Sequence, residues 1–339
     1  VHALELLSGD AQAFLDKVWA SRVHLHHAAP AALAGILSLD DVDRLLTASG
    51  LRTPALRVVK DGSICPASSF TRAATIAGSP LTGLVDARRA LAMYDDGATL
   101  VLQGLHRYWP RLAELVRGLE FELGHPCQAN AYLTPPGSQG FARHSDTHDV
   151  FVFQTHGSKQ WQVIDGGQER DVVLEPGLSM YLPTGTPHSA RSQEQVSLHV
   201  TIGINRLTWR DVLRRQLTRL LADERYDAPL PAGFLDDPDR LAEAAADRLD
   251  ALRGQLAALT GDRLAGAVVE DFLTDRPPAL AGGLRDRALL AALDDRTVLE
   301  RRPTAACVIR TDDPDGRLRV LLGDRELRMP ARLAGPMAV

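Results

Sequence analysis

The chain has 339 residues, 45% of them hydrophobic and 24% charged, with a formal net charge of -5. This composition suits a well-cored globular protein of two domains, or of one large domain with an appendage. It argues against a general nucleic-acid binder, which needs clustered Lys and Arg, and no apolar run approaches the roughly 18 residues that span a bilayer.

The predicted elements begin with a mixed α/β lead-in. Residues 1–10 lack the basic start and apolar core of a secretion signal. Cys65, Cys127 and Cys307 are odd in number and show no CxxC spacing, as ordinary thiols of a cytoplasmic protein would. Phe14, Leu15, Val18 and Trp19 share one side of a helix predicted from Ala11 to Trp19. Ser38, with Asp41 three residues on, reads as the cap of a second helix. Leu56–Lys60 is a short β-branched strand ended by the turn Asp61-Gly62, Leu100–Gln103 is another, and residues 109–119 are helical.

From about residue 128 to 204 short runs rich in Val, Phe, Ile, Tyr and Thr alternate with Pro and Gly turns. The strands predicted are Ala129–Leu133, Val150–Gln154, Lys159–Ile164, Asp171–Leu174, Ser179–Leu182 and Val196–Ile204. Six strands of this length suggest a compact antiparallel barrel or jelly roll. After Arg206 the pattern turns helical, over Asp211–Leu221 and Asp239–Leu259. A hairpin follows, with Cys307–Arg310 and Arg317–Leu322 around Asp315-Gly316.

The chemistry concentrates inside the barrel segment. Residues i and i+2 of an extended chain point the same way, so His144 and Asp146 can both face a barrel interior. His188, on a Pro-Gly turn, can close a three-ligand face. Two imidazoles and one carboxylate leave adjacent positions open on an octahedral iron(II), where a co-substrate and dioxygen bind together. A His-x-Asp triplet alone arises often by chance, and His148, Asp149, His156 and His199 are rival ligands. His144 and His148 also make a His-x-x-x-His spacing suited to zinc on a helix, although the metalloprotease Glu is missing and Val150-Phe-Val-Phe is strand-like.

The stretch from Asn130 to Asp165 closely resembles the JmjC-type ribosomal oxygenases, a branch of the cupin-fold 2-oxoglutarate dioxygenases. The likeness lies in Tyr132-Leu-Thr-Pro-Pro-Gly-Ser-Gln-Gly-Phe141, the His-x-Asp, the Asp149-Val-Phe strand and the Gly157-x-Lys159-x-Trp161 turn. The Pro183–His188 turn and Ser197-Leu-His-Val-Thr-Ile-Gly203 fit as well. The resemblance implies an α+β protein with a double-stranded β-helix (cupin or jelly-roll) core. It implies a catalytic domain over 1–205, a helical dimerisation segment over 206–260 and a winged-helix-like domain over 261–339, with a homodimer as the assembly. The mixed charge of the last helices favours a support or docking role for that domain over nucleic-acid binding.

By the same resemblance, His144, Asp146 and His188 match the iron ligands, and Lys159 matches the lysine that pairs with the distal carboxylate of 2-oxoglutarate. A solvated turn lysine is the bland alternative for Lys159. Asn130, Tyr132 and Thr201 match co-substrate-pocket positions, while Gln154, Trp161 and Arg143 are candidates for the surroundings or the mouth. Gly203 stands where relatives carry a serine, a change expected to remove a hydroxyl and enlarge the site. The implied cofactors are Fe(II), 2-oxoglutarate and dioxygen, and the implied reaction is hydroxylation of a side chain in a protein or peptide, a ribosomal protein being one such substrate. Demethylation, small-molecule oxidation and a non-catalytic cupin module remain as alternatives.

Overall fold

Two faces of one sheet explain the centre of the fold. The strands are β1 (His24–His27), β2 (Leu56–Lys60), β3 (Ser63–Ile64), β4 (Thr71–Ile76), β5 (Ser79–Val85), β6 (Thr99–Leu102), β7 (Cys127–Thr134), β8 (Asp149–His156), β9 (Lys159–Asp165), β10 (Gln168–Leu174), β11 (Leu178–Leu182), β12 (His188–Ser192) and β13 (Ser197–Ile204). Eight of them form a sheet in the order β1-β11-β8-β13-β7-β6-β2-β3, and β10-β9-β12 form a second sheet. The computed structural model describes residues 2–138, 142–277, 280–294, 296–298, 307–311, 315–323, 325–333 and 335. Phe141, part of the expected lead motif, lies outside them.

Side chains alternate across β7, β8 and β13. Ala129, Ala131, Leu133, Phe151, Phe153, Leu198, Val200 and Ile202 enter one core with Leu4, Phe14, Leu45, Leu112 and Leu119. Those partners come from α1 (Ala3–Ser8), α2 (Ala11–Lys17), α4 (Leu39–Ala48) and α6 (Pro110–Leu123), α3 (Pro30–Ala34) and α5 (Ala87–Asp95) being the other helices of the lead-in. The opposite face packs Val150 and Val152 against Trp161, Val163 and Leu174 of the smaller sheet. A sheet covered on both sides has nearly continuous apolar strands, which is why Asp149–His156 is buried at every position but the last.

The cap read from sequence holds. Ser38 and Asp41 form a reciprocal capping box at the start of α4. The strand β2 has the bounds its composition suggests, and Asp61 and Gly62 turn with positive φ. Four strands of this region were illegible. β12 reads His-Ser-Ala-Arg-Ser, without β propensity; β1 is a histidine-rich edge; β4 and β5 form a largely exposed hairpin.

The chain divides into two compact units, Val1–Arg206 and Leu207–Val339. The second carries α7 (Trp209–Leu220), α8 (Pro238–Ala257), α9 (Gly261–Thr274) and α10 (Gly283–Leu289). The expected hairpin is present as β14 (Val308–Arg310) and β15 (Arg317–Leu322), and a third strand, β16 (Arg325–Pro330), adds to it. Among the described residues no helix is long and apolar enough to cross a membrane.

Candidate metal centre

His144, Asp146 and His188 each present one ligand atom, and these atoms lie within 4.8 Å of one another. Neither His144 nor Asp146 sits on a strand. They occupy the loop before β8, and His188 opens β12 opposite Val163 of β9. The two segments are joined by reciprocal backbone bonds: His144 N–H donates to the His188 carbonyl at 3.0 Å, and His188 N–H to the His144 carbonyl at 2.8 Å. Gly185 N–H donates to the Asp146 carbonyl at 3.0 Å, fixing the third position to the same turn.

The imidazoles are oriented for metal. His144 Nδ1 donates to the Ala142 carbonyl at 2.9 Å and His188 Nδ1 to the Thr186 carbonyl at 3.0 Å. Since a carbonyl only accepts, both Nε2 atoms are left with a lone pair. Those Nε2 atoms stand 3.9 and 3.7 Å from the Asp146 carboxylate oxygens. Burial, and next His144, hold the His188 pKa below its ordinary value, which favours the neutral, ligating form. The donor set suits a divalent first-row metal with open coordination positions.

The three ligands open onto a cavity of about 340 Å³ between the two sheets. Lys159 enters it from β9 and is 3% exposed. Its ammonium donates to Thr134 Oγ1 at 3.0 Å, and burial pushes its pKa down to about 7. A buried lysine with one neutral partner is short of an anion, which rules out the solvated-turn alternative. Among the described residues, buried Trp161 Nε1 and His199 Nδ1 also have no hydrogen-bond partner beside the cavity. These groups fit a polar, anionic ligand.

The remaining expected residues fall on cross-strand rows of the sheet. Asn130 is paired with Thr201, which pairs with Val152; Tyr132 is paired with His199. All of these line the cavity. Asn130 Oδ1 accepts from Gly104 N–H at 3.0 Å, so its amide N–H groups are oriented away from that bond. Tyr132 hydrogen-bonds Thr201 and stacks on His199 at 4.8 Å, and burial raises its phenol pKa.

Several expectations need correction. Gly203 does not enlarge the site, because the His148 ring fills the space: a Cβ there would lie 2.7 Å from His148 Nε2. Gln154 is fully buried and ties His156 to Ser197 outside the cavity. Arg143 is held by Gln162 and Glu169 on the outer side of β9. Among the rival ligands, Asp149 is a fully buried strut that accepts from Tyr181, from Arg206 and from both the hydroxyl and N–H of Thr184. His156 is exposed at the end of β8.

Sequence reading missed Arg57, Thr99 and Thr134. Arg57 lines the cavity in the row Arg57–Val101–Tyr132–His199, and its one signal was a charge within a β-branched run. Thr99 Oγ1 donates to Thr134 Oγ1 at 3.2 Å beneath Lys159, and threonines on strands give no such warning.

Residues 106–212 match the JmjC domain family model. Ribosomal oxygenase 1 of Rattus norvegicus is 32% identical over 240 residues, covering 59% of this chain and 40% of that protein. The bifunctional lysine-specific demethylase and histidyl-hydroxylase NO66 of Branchiostoma floridae is 35% identical over 150 residues, covering 42% of this chain and 24% of that one. The chain thus spans two fifths or less of the length of these curated relatives. Among solved structures, the Escherichia coli ribosomal oxygenase YcfD in complex with cobalt and 2-oxoglutarate superposes with a TM-score of 0.55 at 19% identity. It covers 98% of this chain and 89% of its own, a likeness of fold. The cupin-type core read from the motifs is therefore present, and residues 106–212 carry a JmjC domain similar in sequence to ribosomal oxygenase 1 and NO66.

Proposed function

We propose that this chain is an Fe(II)- and 2-oxoglutarate-dependent oxygenase that hydroxylates a side chain within a protein or peptide, with ribosomal proteins the first candidates. One observation carries the reading: a two-histidine, one-carboxylate cluster and a buried, anion-seeking Lys159 line the same cavity. His144, Asp146 and His188 hold the iron. When bound, iron and 2-oxoglutarate supply the oxidising power that places one atom of dioxygen on a carbon of the substrate.

The chain's own residues position and protect. Lys159 takes the distal carboxylate of 2-oxoglutarate, with Asn130, Tyr132 and Thr201 adding hydrogen bonds around it. Val150, Val152 and Leu182 line the cavity with apolar surface and exclude water from the reacting end. The relatives' names, ribosomal oxygenase and histidyl-hydroxylase, support a polypeptide substrate, and the cobalt and 2-oxoglutarate held by the Escherichia coli protein support the co-substrate. Hydroxylation is favoured over demethylation because a methyl-lysine cage needs several open aromatic faces. Here the Tyr132 ring is stacked on His199.

Residues 207–339 are assigned accessory roles: a helical segment that pairs two copies, and a winged-helix-like domain that docks or supports. A stripe along α7 and its C-cap supports the pairing, since Trp209, Leu213, Leu217 and Leu221 recur at four-residue spacing and are all exposed. The three cysteines form no disulfide, which suits a cytoplasmic location. The test is anaerobic loading with iron(II) and 2-oxoglutarate, admission of air, and mass spectrometry of ribosomal proteins for a gain of one oxygen atom with matching succinate. If only a free metabolite gains oxygen, the substrate assignment is wrong.

A further inference from the structure

Asp149 opens β8 shortly after the ligand Asp146, and its side chain is fully buried. A carboxylate sealed from water is costly unless donors surround it. Asp149 has those donors, and its two oxygens divide the work. Oδ2 accepts from the hydroxyl of Tyr181, a member of the helix-covered core whose oxygen accepts in turn from Ala20 N–H at 3.0 Å. Oδ1 accepts from Thr184 N–H at 2.8 Å and from the Thr184 hydroxyl at 2.6 Å, with Arg206 Nε 3.3 Å away to balance the charge. Hydroxyl and amide donors on both oxygens, beside a cation, suit a side chain that only accepts.

Thr184 lies in the turn 183–187, which joins β11 to β12 and delivers His188. The next two residues each serve a ligand. Gly185 N–H donates to the Asp146 carbonyl at 3.0 Å, and the Thr186 carbonyl accepts from His188 Nδ1 at 3.0 Å, which leaves Nε2 for the metal. Gly185 is exposed, at φ +83°, and a Cβ there would have no described residue within 4 Å, so packing does not hold the tip of the turn. The paired bonds from Thr184 to Oδ1 hold it instead. We infer that Asp149 is a positioning residue for the metal: through Thr184 it fixes the turn that aims His188 and Asp146, although it is not itself a ligand. The inference rests on the metal-centre reading above.

The division between the two oxygens makes the test clean. Asp149→Ala endangers the fold itself by taking the acceptor from Tyr181 and Arg206, so the turn is probed through half-buried Thr184. Manganese(II) affinity is measured by calorimetry on the full-length chain, together with its thermal melt and the visible spectrum of added cobalt(II). Thr184→Val keeps the shape of the side chain without the hydroxyl, and Thr184→Ser keeps the hydroxyl. Tyr181→Phe removes the donor to Oδ2 and leaves the bonds of the turn intact. Thr184→Val is expected to weaken manganese binding by about tenfold, the scale of losses seen for partners of metal ligands, and to shift the cobalt spectrum. Thr184→Ser should restore both. Tyr181→Phe should lower the melting midpoint through its lost buried hydrogen bond, with metal affinity and spectrum unchanged. A purely structural strut predicts instead that affinity follows stability in every variant. Manganese affinity unchanged in Thr184→Val, weakened equally in Tyr181→Phe, or not restored by Thr184→Ser overturns the inference and leaves the metal centre in place. A wild-type chain that binds no manganese overturns both.

Discussion

At the scale of single residues, the three proposed ligands have no substitute cluster among the described residues. His144→Ala, Asp146→Ala and His188→Ala should each lose metal binding and iron-dependent 2-oxoglutarate turnover, read by calorimetry and succinate release. Retained turnover in His188→Ala, with loss in His199→Ala, would reassign the ligand. Lys159→Ala should cost about 2–5 kcal/mol of 2-oxoglutarate affinity, with far less effect on the metal. Lys159 also predicts a pH dependence. With its pKa lowered to about 7, the ligand-free folded chain binds fewer protons than the unfolded chain between about 7 and 10.5, so its stability rises across that window. A bound carboxylate restores the ammonium, so binding takes up a proton above pH 7. Affinity should then fall by up to about tenfold per unit as pH rises from 7. Calorimetry in buffers of different ionisation enthalpy reads the proton uptake directly. That His144, Asp146, His188 and Lys159 would share one cavity was legible from the linked motifs and the resemblance they carry, since the His-x-Asp spacing alone left rival ligands open. Asp149 and His148 were not: both looked like rival ligands, and only the packing shows one as a buried strut and the other as a ring resting on a glycine.

At the scale of elements, apolar strands announced themselves while polar ones stayed hidden. Sandwiching the main sheet between two cores made β7, β8 and β13 readable, and their ends differed from expectation by at most two residues. β12 owes its existence to pairing with β9 rather than to its own composition, so His188 looked like a turn residue although it begins a strand. The turn joining β8 to β9 is tighter than its sequence suggests. Gly157 has φ +63°, and a Cβ there would lie 1.8 Å from the Val196 carbonyl oxygen. Gly157→Ala combines left-handed strain with a backbone clash and should destabilise the fold by more than about 1–3 kcal/mol. Because Lys159 lies two residues on, 2-oxoglutarate affinity should fall with stability, as parallel melting and binding measurements on the variant would record.

At the scale of the whole molecule, the exposed stripe of α7 predicts assembly. Leu213→Glu combined with Leu217→Glu should convert a dimer into monomers by light scattering while leaving metal affinity unchanged; a concentration-independent wild-type monomer would remove the dimer from the proposal. The reciprocal backbone bonds between His144 and His188 have a thermodynamic consequence of their own. They close a loop of about 40 residues without help from metal, so most of the entropy of bringing the ligands together is already spent in the apo chain. This protein should therefore differ from zinc fingers, which collapse when stripped. Chelator treatment should leave its far-UV circular dichroism and cooperative melt in place, and returned metal should raise the midpoint only as mass action requires. Iron would then be an exchangeable passenger in a finished fold, replenished from the surrounding pool without a refolding event.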